Sequence, residues 1–163
     1  MRKALTALLV TISVAFMTIQ CAMPVSAEPV EVSGTMEQVS TQTVSVKIAG
    51  TNTFVSNYNV WDVFGDLEGS LISEPLVIIH ASGEIIVLEW AVFTVTWDDQ
   101  DGTLTVRNIG GMVEPGLFHI DSTIARGTGV FAGVYGWGYI DVDVRTSPPS
   151  ATYNFELYWE EED

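Results

Sequence analysis

Ile85-Ile86-Val87-Leu88-Glu89-Trp90-Ala91-Val92-Phe93-Thr94-Val95-Thr96-Trp97 is the stretch on which the fold turns. It is rich in β-branched and aromatic residues and free of Gly and Pro, which is strand chemistry. One phase of its alternation carries Ile86, Leu88, Trp90 and Val92, and the other carries Ile85, Val87, Ala91, Phe93, Val95 and Trp97. A strand apolar on both phases is expected to be buried on both sides. In a barrel one face lines the interior, and the other must be covered by a tail, a loop or a second subunit, since large exposed apolar patches are rare on monomers. A homo-oligomer is therefore expected. A two-sheet sandwich with scattered apolar residues outside is the alternative on periodicity alone.

The same texture extends both ways. Val, Ile, Thr and aromatic residues alternate or run in short blocks, with no amphipathic helical stretch between them. Strands are expected near 29–39, 43–48, 53–65, 70–80, 84–97, 103–110, 116–124, 133–145 and 151–160. Turn chemistry separates them at Gly50-Thr51-Asn52, Gly65 to Gly69, Ser82-Gly83, Asp98 to Gly102, Gly110-Gly111 and Ser147-Pro148-Pro149. Short turns without helical crossovers imply antiparallel neighbours and a meander.

Upstream, Met1-Arg2-Lys3, an apolar run from Ala4 to about Ile19, and Val25-Ser26-Ala27 read as a secretory signal peptide over 1–27, cut before Glu28. The run is short for a membrane span and is interrupted by Gln20 and Pro24. Cys21 is the only cysteine, and Gln20 before it is wrong for lipidation. Cleavage leaves one domain, 28–163, secreted or otherwise extracytoplasmic, without disulfides and without a membrane anchor. It holds four basic residues against 21 acidic ones, a formal charge of −17. That field disfavours nucleic acid and anionic membrane surfaces, and it keeps an exported protein soluble.

Phe64-Gly65-Asp66-Leu67-Glu68-Gly69 and Arg126-Gly127-Thr128-Gly129-Val130-Phe131-Ala132-Gly133-Val134-Tyr135-Gly136-Trp137-Gly138 resemble two segments of a family of small, functionally uncharacterised bacterial barrel proteins. Gly102 to Val106 and Tyr153 to Leu157 resemble two of its strands, in the same order. The family is grouped with the allene oxide cyclase and dirigent-like barrels. The resemblance implies a closed eight-stranded antiparallel meander, often oligomeric, and transfers no catalytic set. Nine segments are one too many for eight strands, so either 29–39 merges with 43–48 or one segment serves as a lid. The glycine run has its own reading: Gly127 and Gly129 permit positive φ, and the glycines after them let strands bend or approach closely. A phosphate loop is excluded, since no Lys-Ser/Thr and no helix follow.

Candidate chemistry is sparse. Glu89 alone breaks the apolar strand, either as a carboxylate inside the barrel or as a residue near a bulge that meets solvent or Arg107. His119 shares a strand face with Asp121 and is the second acid–base candidate, while His80 precedes a turn and is expected to be exposed. No third ligand stands at metal spacing, so no metal and no cofactor is expected. Asp98 to Gly102 reads as a hairpin turn rather than a calcium loop. Tyr58, Trp61, Trp97, Tyr135 and Trp137 are the candidate ligand-binding aromatics, with barrel core or subunit interface as their competing roles. The expected function is non-catalytic binding of a small apolar or aromatic ligand, or a role through an oligomer interface. A cyclase- or isomerase-type enzyme is the alternative.

Overall fold

The computed structural model describes residues 28–159; the expected export signal, with Cys21, lies outside the described residues. Eight strands follow one another: β1 (Val30–Ala49), β2 (Asn52–Gly65), β3 (Glu68–Ile79), β4 (Ile85–Trp97), β5 (Gln100–Glu114), β6 (Leu117–Gly129), β7 (Val134–Asp143) and β8 (Ser150–Trp159). Each pairs antiparallel with its sequence neighbour, and β1 pairs with β8, so the sheet closes on itself. Closure, not sandwich packing, is the solution. It leaves no sheet edge along the paired length.

The first two expected segments do merge, into one strand of 20 residues. Ser40-Thr41-Gln42 breaks the apolar pattern without breaking the strand, because register shifts at Gln38/Ser40 and Thr43/Ser45 bend it there. The ring closes only where Val30–Glu37 of β1 meets Ser150–Leu157 of β8. Beyond that, the β1–β2 hairpin projects past β8, with Val44, Val46 and Ile48 exposed.

The phase of β4 is settled by burial. Val87, Ala91, Phe93 and Val95 point into the core, together with Leu104 and Val106 of β5 and Tyr153, Phe155 and Leu157 of β8. Phe93 meets Phe155 edge-on, with centroids 5.6 Å apart and planes at 89°, and Tyr153 lies 6.1 Å from Phe93. On the other phase Leu88, Trp90 and Val92 are exposed, Trp90 at 57%. No described tail or loop covers them, contrary to the first two covers expected for a doubly apolar strand.

One end of the ring is plugged. Trp97 stacks on Phe131 at 5.9 Å and on Trp159 at 5.5 Å, and the Trp159 indole N–H donates to the Val130 carbonyl at 3.4 Å. Leu67, from the turn after β2, inserts fully buried, and its N–H donates to the Tyr153 hydroxyl at 3.0 Å. Burial pushes the Tyr153 hydroxyl up to about 12, so it stays a neutral donor and acceptor. Gly127 proves to be about space rather than backbone handedness: it is Gly129 and Gly133 that have positive φ, 64° and 72°, while a side chain at Gly127 would collide with Phe131, part of the plug. β6 runs to Gly129 instead of ending at residue 124 as expected, because it stays paired with β5 as far as Gly102 opposite Gly129. The β4–β5 turn is the expected hairpin turn, with Asp98 and Asp99 at φ 50° and 61°.

Candidate functional site

The opposite end of the ring is open. Between the walls lies a cavity of about 320 Å³. Its floor is apolar, with Trp61 from β2, Val77 from β3, Val87 from β4 and Phe118 and Ile120 from β6. Gln38 and Thr41 of β1 with Asn57 and Asn59 of β2 form a polar flank. That flank exists because β1 and β2 keep the inward phase of Trp61 while switching to polar residues as they leave the closed part of the ring, pairing Gln38 with Trp61, Thr41 with Asn59 and Thr43 with Asn57. Thr41 donates its hydroxyl to the Asn59 side-chain oxygen at 2.7 Å, tying the two strands at the mouth.

Glu89 is the one ionisable side chain on this lining. It points inward, in phase with Val87 and Ala91, and resolves the alternatives left by periodicity. Arg107 stands opposite Trp90, and the residue opposite Glu89 is Asn108. The Asn108 amide donates to Glu89 Oε1 at 3.0 Å, and the Ser73 hydroxyl adds a second hydrogen bond. Burial in this apolar setting pushes the Glu89 carboxyl up from 4.5 to about 7, while the bonds from Asn108 and Ser73 pull it partly back. A carboxyl poised there exchanges between acceptor and donor near neutral pH.

Behind Glu89 the polar set continues along the register. Asn108 lies opposite Ser122 of β6, and Ser73, Asn108 and Ser122 are the buried polar residues of the core. Three buried polar atoms have no hydrogen-bond partner among the described residues: Asn57 Oδ1, Asn108 Oδ1 and Ser122 Oγ. Such atoms are costly; Asn57 lies on the cavity wall, and Asn108 and Ser122 face each other behind Glu89.

The expected site residues do not converge. Trp61 is on the cavity wall. Tyr58 lies on the opposite phase of β2, opposite Gln42. Trp97 belongs to the plug at the far end. Tyr135 and Trp137 are on the outer face of β7, Trp137 at 51% exposure, and both pack on Tyr158 at 5.4 and 5.0 Å. His119 also faces outward. Its Nδ1 is 2.6 Å from Asp141 Oδ1, and its Nε2 is 3.7 Å from Asp121, so the shared face with Asp121 is there but not inside. His80 is half-buried rather than exposed, and its backbone closes the β3–β4 turn through bonds with Gly83 and Glu84.

Asn57, Ser73, Asn108 and Ser122 went unremarked in the sequence. The signal for Asn108 was present: it continues the alternation of Leu104 and Val106, a polar residue on an inward phase. Pairing it with Glu89 required the β4–β5 register, which the Asp98–Asp99 turn sets.

No family model matches the chain, and no curated protein matches it. Among solved structures it is similar to a protein of unknown function of the DUF3224 family from Shewanella oneidensis MR-1, with a TM-score of 0.63 and 17% identity over 83% of this chain and all of that one. At that identity the likeness is one of fold. It shows a fold shared with a domain of unknown function and carries no link to allene oxide cyclase or dirigent proteins.

Proposed function

We propose that the protein is a binding module that takes a small, largely apolar molecule into the open end of its ring, with one polar group set against Glu89. The observation that carries this reading is the coincidence of three features at one place. An apolar cavity at the lower end of the ordinary ligand-site range is lined by one ionisable group, and a buried unpartnered acceptor, Asn57 Oδ1, belongs to a residue on its wall. Binding is favoured over acid–base catalysis because the two candidate groups, Glu89 and His119, lie on opposite sides of the wall. Calorimetric titration with 4-phenylbutanol tests it. The wild-type chain binds saturably, while Val142→Trp on β7 and Thr41→Trp on β1, each of which puts a bulky ring on the cavity lining, abolish binding. A wild-type chain that takes up no probe overturns the reading.

A second role follows from the outer face. Ile72, Val92, Leu88, Trp90 and Ile109 form one exposed apolar patch across β3, β4 and β5, with Ile72 opposite Val92 and Leu88 opposite Ile109. We propose that a second copy of the chain covers it, as such a patch favours. Sedimentation of the purified protein, with Trp90→Glu as the comparison, tests this.

A further inference from the structure

We infer that the guest is an amine: an apolar body carrying a protonated nitrogen that donates to Glu89. This rests on the reading of the cavity as a binding site and specifies its chemistry.

Acceptors without donors stand close to the carboxyl. Glu89 already acts as an acceptor, from the Asn108 amide at 3.0 Å and the Ser73 hydroxyl. That bond orients the Asn108 side chain and leaves its Oδ1, in a residue only 1% exposed, as an acceptor without a donor. Asn57 Oδ1, on the cavity wall, is in the same position. An amide oxygen only accepts. Two buried acceptors, Asn57 Oδ1 and Asn108 Oδ1, thus stand without a donor near the one carboxyl of the site, and a donor-rich guest suits them better than a carboxylate, which only accepts. A protonated amine brings up to three donors and no acceptor.

Charge points the same way. No lysine or arginine is among the cavity-lining residues. The elements packed on Glu89 present Ser73 and Pro75 from β3 and Asn108 from β5, none of them ionisable. Arg107 and Glu74 belong to the outward phase. Nothing inside can neutralise an anionic guest, whereas a cationic guest meets a carboxylate in a sheltered setting, where charge-assisted bonds are strong. The whole chain carries a formal charge of −15, which raises the local concentration of cations and lowers that of anions.

The test is a three-probe calorimetric comparison on the folded protein near pH 8, with 4-phenylbutylamine, 4-phenylbutanol and 4-phenylbutanoate sharing one apolar body. The amine is expected to bind about tenfold tighter than the alcohol, with the carboxylate weakest. Glu89→Gln should erase the amine's advantage, bringing the ratio of amine to alcohol affinity down to about one. This variant keeps nearly all of the surface charge, so non-specific attraction of cations survives in it and is subtracted. Lowering the pH of the wild-type chain from about 8 to about 5 should reproduce the loss by protonating Glu89, and it does not depend on the variant folding. An alcohol bound as tightly as the amine, or an amine preference that survives Glu89→Gln, overturns the amine inference and leaves the cavity reading standing. Failure of all three probes to bind the wild-type chain overturns both.

Discussion

Asn108 reaches across from β5 to donate its side-chain amide to Glu89 Oε1 of β4 at 3.0 Å, on the inner side of the wall. The pair places a carboxyl where a wholly apolar core would be cheaper. Glu89 and Asn108 are cross-strand neighbours in register, so the geometry is set by backbone pairing, and each holds the other's rotamer. Their presence at the inner end of an open cavity is what separates this end of the ring from the plugged one.

Glu89 makes stability depend on pH. Its carboxyl titrates at about 7 in the folded chain against 4.5 when exposed, so the folded state binds the proton more tightly. The penalty is absent below about pH 4.5, grows as pH rises towards 7, and is constant above. At about 1.4 kcal/mol per unit, its full size is on the order of 3.5 kcal/mol. Glu89→Gln removes it. Urea unfolding of both proteins should show the variant gaining on the wild type by up to that amount between pH 4 and pH 8. A gap that stays constant over that range would contradict the burial of the carboxyl.

The hydroxyl of Tyr153 holds the plugged end. It accepts from the Leu67 N–H at 3.0 Å and lies 3.3 Å from the carbonyls of Phe64 and Leu67. Tyr153→Phe leaves the Leu67 N–H buried and unpaired, at a cost of about 1–3 kcal/mol. The urea midpoint should fall with the slope unchanged, and an unchanged midpoint would mean that Leu67 is satisfied in another way.

Trp97 separates structural aromatics from ligand-facing ones. Its stacks on Phe131 and Trp159 lie at the plug. Trp97→Ala should therefore cost about 2–3 kcal/mol of stability, below the range for fully buried tryptophan, without altering the affinity for 4-phenylbutanol. Trp61→Ala, on the cavity wall, should weaken that affinity. Reversed outcomes would move the site to the other end.

Trp90 reports on assembly. In a dimer formed through the outer face of β3–β5, Trp90→Glu places an acid in the apolar patch of an already acidic chain and should shift the sedimentation profile to monomer. A wild-type chain that is monomeric at about 100 μM, an ordinary concentration relative to micromolar affinity, removes the second-copy proposal.

Much of the fold was legible because strand patterning and turn chemistry are local. Asp98-Asp99 and the Ser82-Gly83 region ended strands where expected, but which of the two apolar phases of β4 faces inward was not legible, since both are apolar. The merged β1 was half legible: the polar Ser40-Thr41-Gln42 looks like a break because the residues facing a wet cavity mouth are polar on both phases. Aromatic residues were the weakest guide. Trp61 and Trp137 have the same chemistry, and only the ring's closure puts one inside and the other out. Glu89 was visible as the lone acid on an apolar strand, but Asn108 and Ser122 acquire meaning only through pairing between strands, which no single stretch of sequence records.

The most direct test of the account is where a small apolar molecule settles. Amide chemical shifts of the isotope-labelled protein should be followed during titration with 4-phenylbutanol. Perturbations should concentrate at Asn57, Trp61, Val87, Glu89, Asn108 and Phe118 around the open end, and spare Tyr135 and Trp137 on the outer face of β7. Shifts centred on Tyr135 and Trp137, or on the Trp97 plug, would contradict it.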